Sequence, residues 1–128
     1  MPVVIFSKSY CPHSKRAKHL LTEVYDIVPL PTIVELDELT EKLPLPHDHT
    51  HNDDDELPPR PVTMGAKIQE LLSELTDRRT VPNIMVGGVE SIGGNDAIWE
   101  MHNSGLLVDH IRGLVGKRLT RIELRKED

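Results

Sequence analysis

The sequence predicts an α/β fold, a four-stranded mixed sheet flanked by helices. Two patterns carry that expectation. Short β-branched apolar runs alternate with segments whose apolar residues recur every three or four positions. The resulting order, β-α-β and then α-β-β-α, joins the first two strands by a parallel crossover and the last two by an antiparallel hairpin. With 128 residues the chain is expected to form a single domain with a real core. No apolar run approaches the ~20 residues of a membrane span.

Residues 3–6, Val-Val-Ile-Phe, form a continuous apolar run, as expected for a strand covered on both faces. After Pro12, the residues Ala17, Leu20, Leu21 and Val24 make one helical stripe, and Pro29 and Pro31 are expected to end that helix. Its other face carries Lys15, Arg16, Lys18 and His19, and is either a solvated face or one that favours an anionic substrate. Residues 32–36 read as the second strand, completing a right-handed βαβ unit. A helix follows over 64–75, with Ile68, Leu71, Leu72 and Leu75 as its apolar stripe. Residues 83–86 read as the third strand. Gly87-Gly88 is a hairpin turn, and 89–92 return as the fourth strand. A helix starts near Gly93-Gly94-Asn95-Asp96, with Asn95 or Asp96 as N-cap, and stops at Gly105. Residues 108–115 make the last helix. The charged tail from Lys117 carries no clear periodicity.

Residues 43–63 differ in kind. Five prolines and an acidic run cannot supply a packed core, so an inserted loop is expected here. The formal charge is −6, and residues 41–60 hold six acids and two bases, so −4 of it falls there. An acidic chain is a poor match for nucleic acid. His47, His49 and His51 alternate beside Asp48 and Asp53. That set is chemically able to bind Zn²⁺, Ni²⁺ or Cu²⁺, although a solvated loop without a specific ligand is the plainer expectation.

Cys11 is the only cysteine. It sits where the first strand gives way to the first helix, in Ser7-Lys8-Ser9-Tyr10-Cys11-Pro12-His13-Ser14. Pro12 suits the first helical position. The free N–H groups and dipole of a helix start favour negative charge, and Lys8 adds to the effect, so the thiol pKa should be lowered. The thiolate is the nucleophile. A lone cysteine is more often a small buried hydrophobe, and this setting argues against that. One cysteine also excludes a disulfide framework or a cysteine-rich zinc site.

The motif resembles the active site of a glutaredoxin in its single-cysteine form. Three further stretches match the same family in order: Gln69 in Lys67-Ile68-Gln69, Arg79-Thr80-Val81-Pro82, and Gly93-Gly94-Asn95-Asp96. Val34-Glu35-Leu36-Asp37 also matches the end of the family's second strand. The resemblance implies a thioredoxin-like fold and a glutathione groove. Cys11 would be the catalytic residue, and Pro82 a cis-proline facing it. Val81 would pair its backbone with glutathione as an added strand. Lys8 and Gln69 would hold the glycine carboxylate, with Tyr10 and His13 flanking the thiol and Thr80 in the groove wall. Gly94, Asn95 and Asp96 would hold the γ-glutamyl end.

Three departures from the family pattern bear on mechanism. Ala97 replaces a common second polar residue, so glutathione binding is expected to be weaker than in a typical member. His13 stands where tyrosine is common. It is either an exposed helix residue or a pH-dependent charge beside the thiolate. Ser14 replaces the second cysteine, so no disulfide can form within the site and an outside thiol must resolve any mixed disulfide. The resemblance therefore implies a monothiol oxidoreductase acting on protein–glutathione mixed disulfides, with glutathione and glutathionylated proteins as partners. A monomer is expected. The alternative is a dimer holding a [2Fe–2S] cluster through Cys11 and glutathione, and Pro12 argues against it. The chain begins at the first strand, without the preceding helix usual in cytosolic members and with no visible signal peptide. The expected location is the secretory pathway, endoplasmic reticulum or Golgi, with an anchor outside this chain. A cytoplasmic location is the alternative.

Overall fold

The computed structural model describes residues 1–43, 61–88 and 90–126. Strand β1 (Val3–Ser7) runs through the middle of a four-stranded sheet, beside β3 (Thr32–Glu35) and β4 (Asn83–Val86), with β5 (Glu90–Ser91) at the far edge. β1 pairs β3 in parallel, matching Ile5 with Ile33, and pairs β4 antiparallel, matching Ile5 with Ile84. The central strands are apolar because both faces are covered. Gly87 and Gly88 take φ of 73° and 88° in the β4–β5 turn, a backbone conformation that favours glycine. This is the expected thioredoxin-like architecture.

One face carries α1 (Pro12–His19), α3 (Asn95–Asn103) and α4 (Leu107–Val115). Their core joins Val3, Ile5, Ala17, Leu20, Leu21, Ile84, Ile98 and Ile111, all nearly or fully buried. Helix α2 (Met64–Thr76) packs on the short 3-10 turn Leu36–Glu38. Thr63 caps α2 by accepting the Ala66 N–H at 3.1 Å. The approach is so close that a Cβ at Gly65 would lie 1.9 Å from the Leu36 carbonyl oxygen. The expected apolar stripe of α2 is narrower than the spacing suggests. Leu72 is buried, but Leu71 and Leu75 are exposed.

Three expectations are corrected. The first helix does not continue to Pro29. It opens into a π-turn, Leu20–Val24, and the chain then forms β2 (Tyr25–Val28). The reason lies in the alternation of Tyr25 and Ile27 with Asp26 and Val28, which buries the first pair only. The unassigned tail supplies the partner: β6 (Arg121–Leu124) pairs antiparallel with β2 and buries Ile122. The N-cap of α3 is Gly94, which leaves Asn95 and Asp96 as its first two helical residues and no side-chain cap.

The described residues on either side of the expected loop, 41–43 and 62–64, are bonded to each other. Lys42 bridges Thr63, Leu43 N–H donates to Val62 at 2.9 Å, and Met64 N–H donates to Glu41 at 2.7 Å. His47, His49, His51, Asp48 and Asp53 lie outside the described residues. Among the described residues no three His, Cys, Asp or Glu side chains are grouped to hold a metal ion. No described helix is long and apolar enough to cross a membrane.

Candidate active site

Register places the site. β1 ends at Ser7, opposite the start of β4, because Phe6 pairs Asn83. The Cys11 loop and the Val81-Pro82 segment therefore share one end of the sheet. β5 returns to that end too, since Ile84 N–H donates to the Gly93 carbonyl at 3.0 Å. Three of the four matching stretches thus converge there, and the fourth, Gln69, donates from α2 to the Arg79 carbonyl at 2.9 Å.

Cys11 is the N-cap of α1, with Pro12 next, and is partly exposed. Two opposing effects act on the thiol. Desolvation raises its pKa, but the Ser14 N–H and hydroxyl, the His13 N–H and the Lys8 charge together outweigh it, so the pKa falls below its ordinary value. Ser14 is fully buried, and its hydroxyl also accepts the Lys8 N–H at 3.3 Å. The residue in place of a second cysteine therefore orders the loop and favours the thiolate. His13 contributes its backbone N–H while its side chain is exposed, and Tyr10 is exposed as well.

The loop before Cys11 is clamped by residues to which the sequence reading gave no role. Ser7 Oγ donates to Glu35 Oε1 at 2.7 Å, and Lys18 Nζ reaches the same oxygen at 2.9 Å. Ser9 donates its N–H to Asp37 at 2.9 Å and its hydroxyl to the same carboxylate. Those Ser9 donors hold the Asp37 carboxyl below its usual range. The Val34-Glu35-Leu36-Asp37 match is thus a positioning device for Lys8 and Cys11. The basic face of α1 is largely engaged. Lys18 pairs with Glu35, His19 lies 2.6 Å from Glu23, and Arg16 stacks over Trp99 at 5.3 Å.

The Val81–Pro82 bond is cis, as the resemblance implies, and so is Val28–Pro29. Among the described residues the Val81 N–H and C=O have no hydrogen-bond partner. The first turn of α3 has no side-chain cap, so its N–H groups are free for an anion. Asn95 is buried, with Oδ1 unpaired among the described residues. These unsatisfied groups suit a short peptide-like ligand with a carboxylate at one end. Gln69 gives one of its two amide N–H groups to the Arg79 carbonyl, bracing the main chain ahead of Val81. Arg78 and Arg79 were not among the expected site residues, although the Arg-Arg pair directly before Thr80 was a visible signal. Both line an open groove of about 610 Å³ with Thr80 and Gly93.

A thioredoxin-like fold with a reactive thiol at the start of its first helix defines a class of thiol proteins. Comparison with known proteins narrows it. The glutaredoxin family model matches residues 3–43. Monothiol glutaredoxin-7 of Saccharomyces cerevisiae is 35% identical over 111 residues, 87% of this chain and 43% of that protein. Glutaredoxin-C2 of Arabidopsis thaliana is 38% identical over 106 residues, 83% of this chain and 71% of that protein. The structure of a buckwheat glutaredoxin–glutathione complex aligns with a TM-score of 0.59 and 31% identity, covering 88% of this chain and 78% of that one. The chain belongs to the glutaredoxin family. It spans less than two thirds of the length of several curated relatives that it matches.

Proposed function

We propose that the protein is a glutathione-dependent oxidoreductase that reduces protein–glutathione mixed disulfides through Cys11 alone. The observation that carries this reading is the Cys11 thiol at the α1 N-terminus, drawn toward the thiolate by Ser14, His13 and Lys8 despite its desolvation. In the first step the Cys11 thiolate attacks the glutathione sulfur of the mixed disulfide. That S–S bond breaks, the substrate leaves as a thiolate, and glutathione stays on Cys11. Ser14 offers a hydroxyl, which cannot displace it. A second glutathione thiolate attacks the glutathione sulfur, releasing glutathione disulfide and restoring Cys11.

Each part of the proposed groove has a physical role. The unpaired N–H and C=O of Val81 would hold the cysteine backbone of glutathione. Lys8 would take the glycine carboxylate, with Gln69 bracing the Arg79 main chain beside it. The uncapped α3 start at Gly94 and Asn95 would take the γ-glutamyl carboxylate, and Asp96 its ammonium. Relatives named monothiol glutaredoxins and a glutathione complex of a related glutaredoxin support the reading. The [2Fe–2S] alternative would use Cys11 as the protein's thiolate ligand in a dimer, and no observation favours it. A place in the secretory pathway, with an anchor outside these residues, completes the proposal and is checked by fractionating cells that express the full-length protein.

The test is turnover of a glutathionylated peptide with glutathione, glutathione reductase and NADPH. The protein should turn over, and Cys11→Ser should lose all activity above the uncatalysed rate. Absence of turnover in the unmutated protein overturns the reading.

A further inference from the structure

We infer that Arg78 is a specificity-determining residue that binds the α-carboxylate at the γ-glutamyl end of glutathione and stands in for the polar group missing at Ala97. The inference deepens the glutathione reading and rests on it. The Arg78 guanidinium lies against the Gly93-Gly94 turn. A Cβ built on Gly94 would be 2.8 Å from its Nη1, and one on Gly93 would be 3.7 Å from its Nη2. The same Nη1 donates to Thr80 Oγ1 at 3.3 Å, which ties the side chain to the open groove that it lines with Thr80 and Gly93. Gly94 is the N-cap of α3, so the cation stands beside the uncapped first-turn N–H groups of that helix.

Three observations point to an anion between them. Among the described residues no carboxylate pairs with Arg78, although it is half-buried. The adjacent groove is open, so a ligand can reach it. Asp96, one residue into the helix from Asn95, is exposed and likewise unpaired among the described residues. Arg78 beside Gly94 and Asp96 two residues further along the chain supply one charge of each sign near the start of α3, as a zwitterion requires. The γ-glutamyl terminus is one, with an ammonium and a carboxylate on the same carbon. Arg is the fitting residue type, because its fork holds a carboxylate while keeping a second contact to the protein. Ala97 itself packs against the turn, its Cβ 2.7 Å from where a Gly93 Cβ would be, so it leaves the carboxylate to Arg78.

The experiment is calorimetric titration of S-methylglutathione, which cannot react with Cys11, into the unmutated protein, Arg78→Ala and Arg78→Lys. A second ligand, S-methyl-4-aminobutyryl-cysteinylglycine, keeps the ammonium and lacks only the α-carboxylate. Arg78→Ala should weaken S-methylglutathione binding about tenfold, the scale of one charge-assisted hydrogen bond. It should leave binding of the second ligand unchanged, and Arg78→Lys should recover part of the loss. Equal weakening of both ligands, or no weakening of either, overturns the inference while the glutathione reading stands. Failure of the unmutated protein to bind S-methylglutathione overturns both.

Discussion

Ser14 decides the chemistry at the residue scale in two ways. It withholds a second thiol, and its buried hydroxyl and N–H stabilise the charge on Cys11. Ser14→Ala should therefore move the midpoint of the pH dependence of Cys11 alkylation upward. Below that midpoint, iodoacetamide should react roughly several-fold more slowly, the scale of one weakened hydrogen bond to a charged sulfur. An unmoved midpoint would show that the N–H groups of residues 13 and 14 and the Lys8 charge suffice without the hydroxyl. The sign for stability follows from the same shift. Because the folded pKa is lowered, the stabilising contribution of the thiolate is present above the unfolded thiol's pKa. It is lost as pH falls through the folded one. Cys11, Pro12 and Ser14 were legible in the sequence because their chemistry depends on near neighbours. The clamp of Ser7 by Glu35 and of Ser9 by Asp37 was not, since each bond spans 28 positions and is set by the parallel β1–β3 register.

At the scale of elements, α2 sits on the Leu36–Glu38 turn at a distance that leaves no room for a side chain at Gly65. Gly65 allows it because helix backbone and turn carbonyl meet with no side chain between them. Gly65→Ala should push the two apart and cost about 2–3 kcal/mol, lowering Tm by roughly 10 °C in thermal unfolding followed by circular dichroism. A Tm within about 2 °C of the unmutated protein would mean that the helix slides without loss. The end of α1 is likewise hidden from the sequence. Leu20, Leu21 and Val24 keep helical spacing to the end of the π-turn, so the stripe gave no stop signal. The signal was the change of period at Tyr25-Asp26-Ile27-Val28, from three or four residues to two. β6 was illegible for another reason. Only Ile122 of its four residues is buried, and its partner follows directly on the helical spacing that runs to Val24. The exposed Leu71 and Leu75 show that helical spacing identifies the helix without telling how wide a stripe its neighbours will cover.

Over the whole molecule, strands β2 and β6 lie at one end of α1 and Cys11 at the other. The 13 residues of α1 and its π-turn between them correspond to about 20 Å. Stability and reactivity are therefore separable. Ile122→Ala should lower stability by about 2–3 kcal/mol in urea unfolding, because it empties a packed site against Ile27. Cys11 alkylation in the native protein should keep its rate and pH midpoint. A change in that midpoint would mean that the ribbon reaches the site through α1. The chain order of the four central strands and their helices was legible in the sequence, because apolar runs and helical stripes mark most of them and the Gly87-Gly88 turn marks the short β5. What joins distant parts was not. The stem of the insert is such a join, with Glu41, Lys42 and Leu43 bonded to Val62, Thr63 and Met64. The chain on either side of that stretch therefore lies side by side, and closing a loop of twice the length would cost only about 0.6 kcal/mol more in entropy. Pinned on both sides of that stretch, the chain delivers α2 to its seat on the Leu36–Glu38 turn.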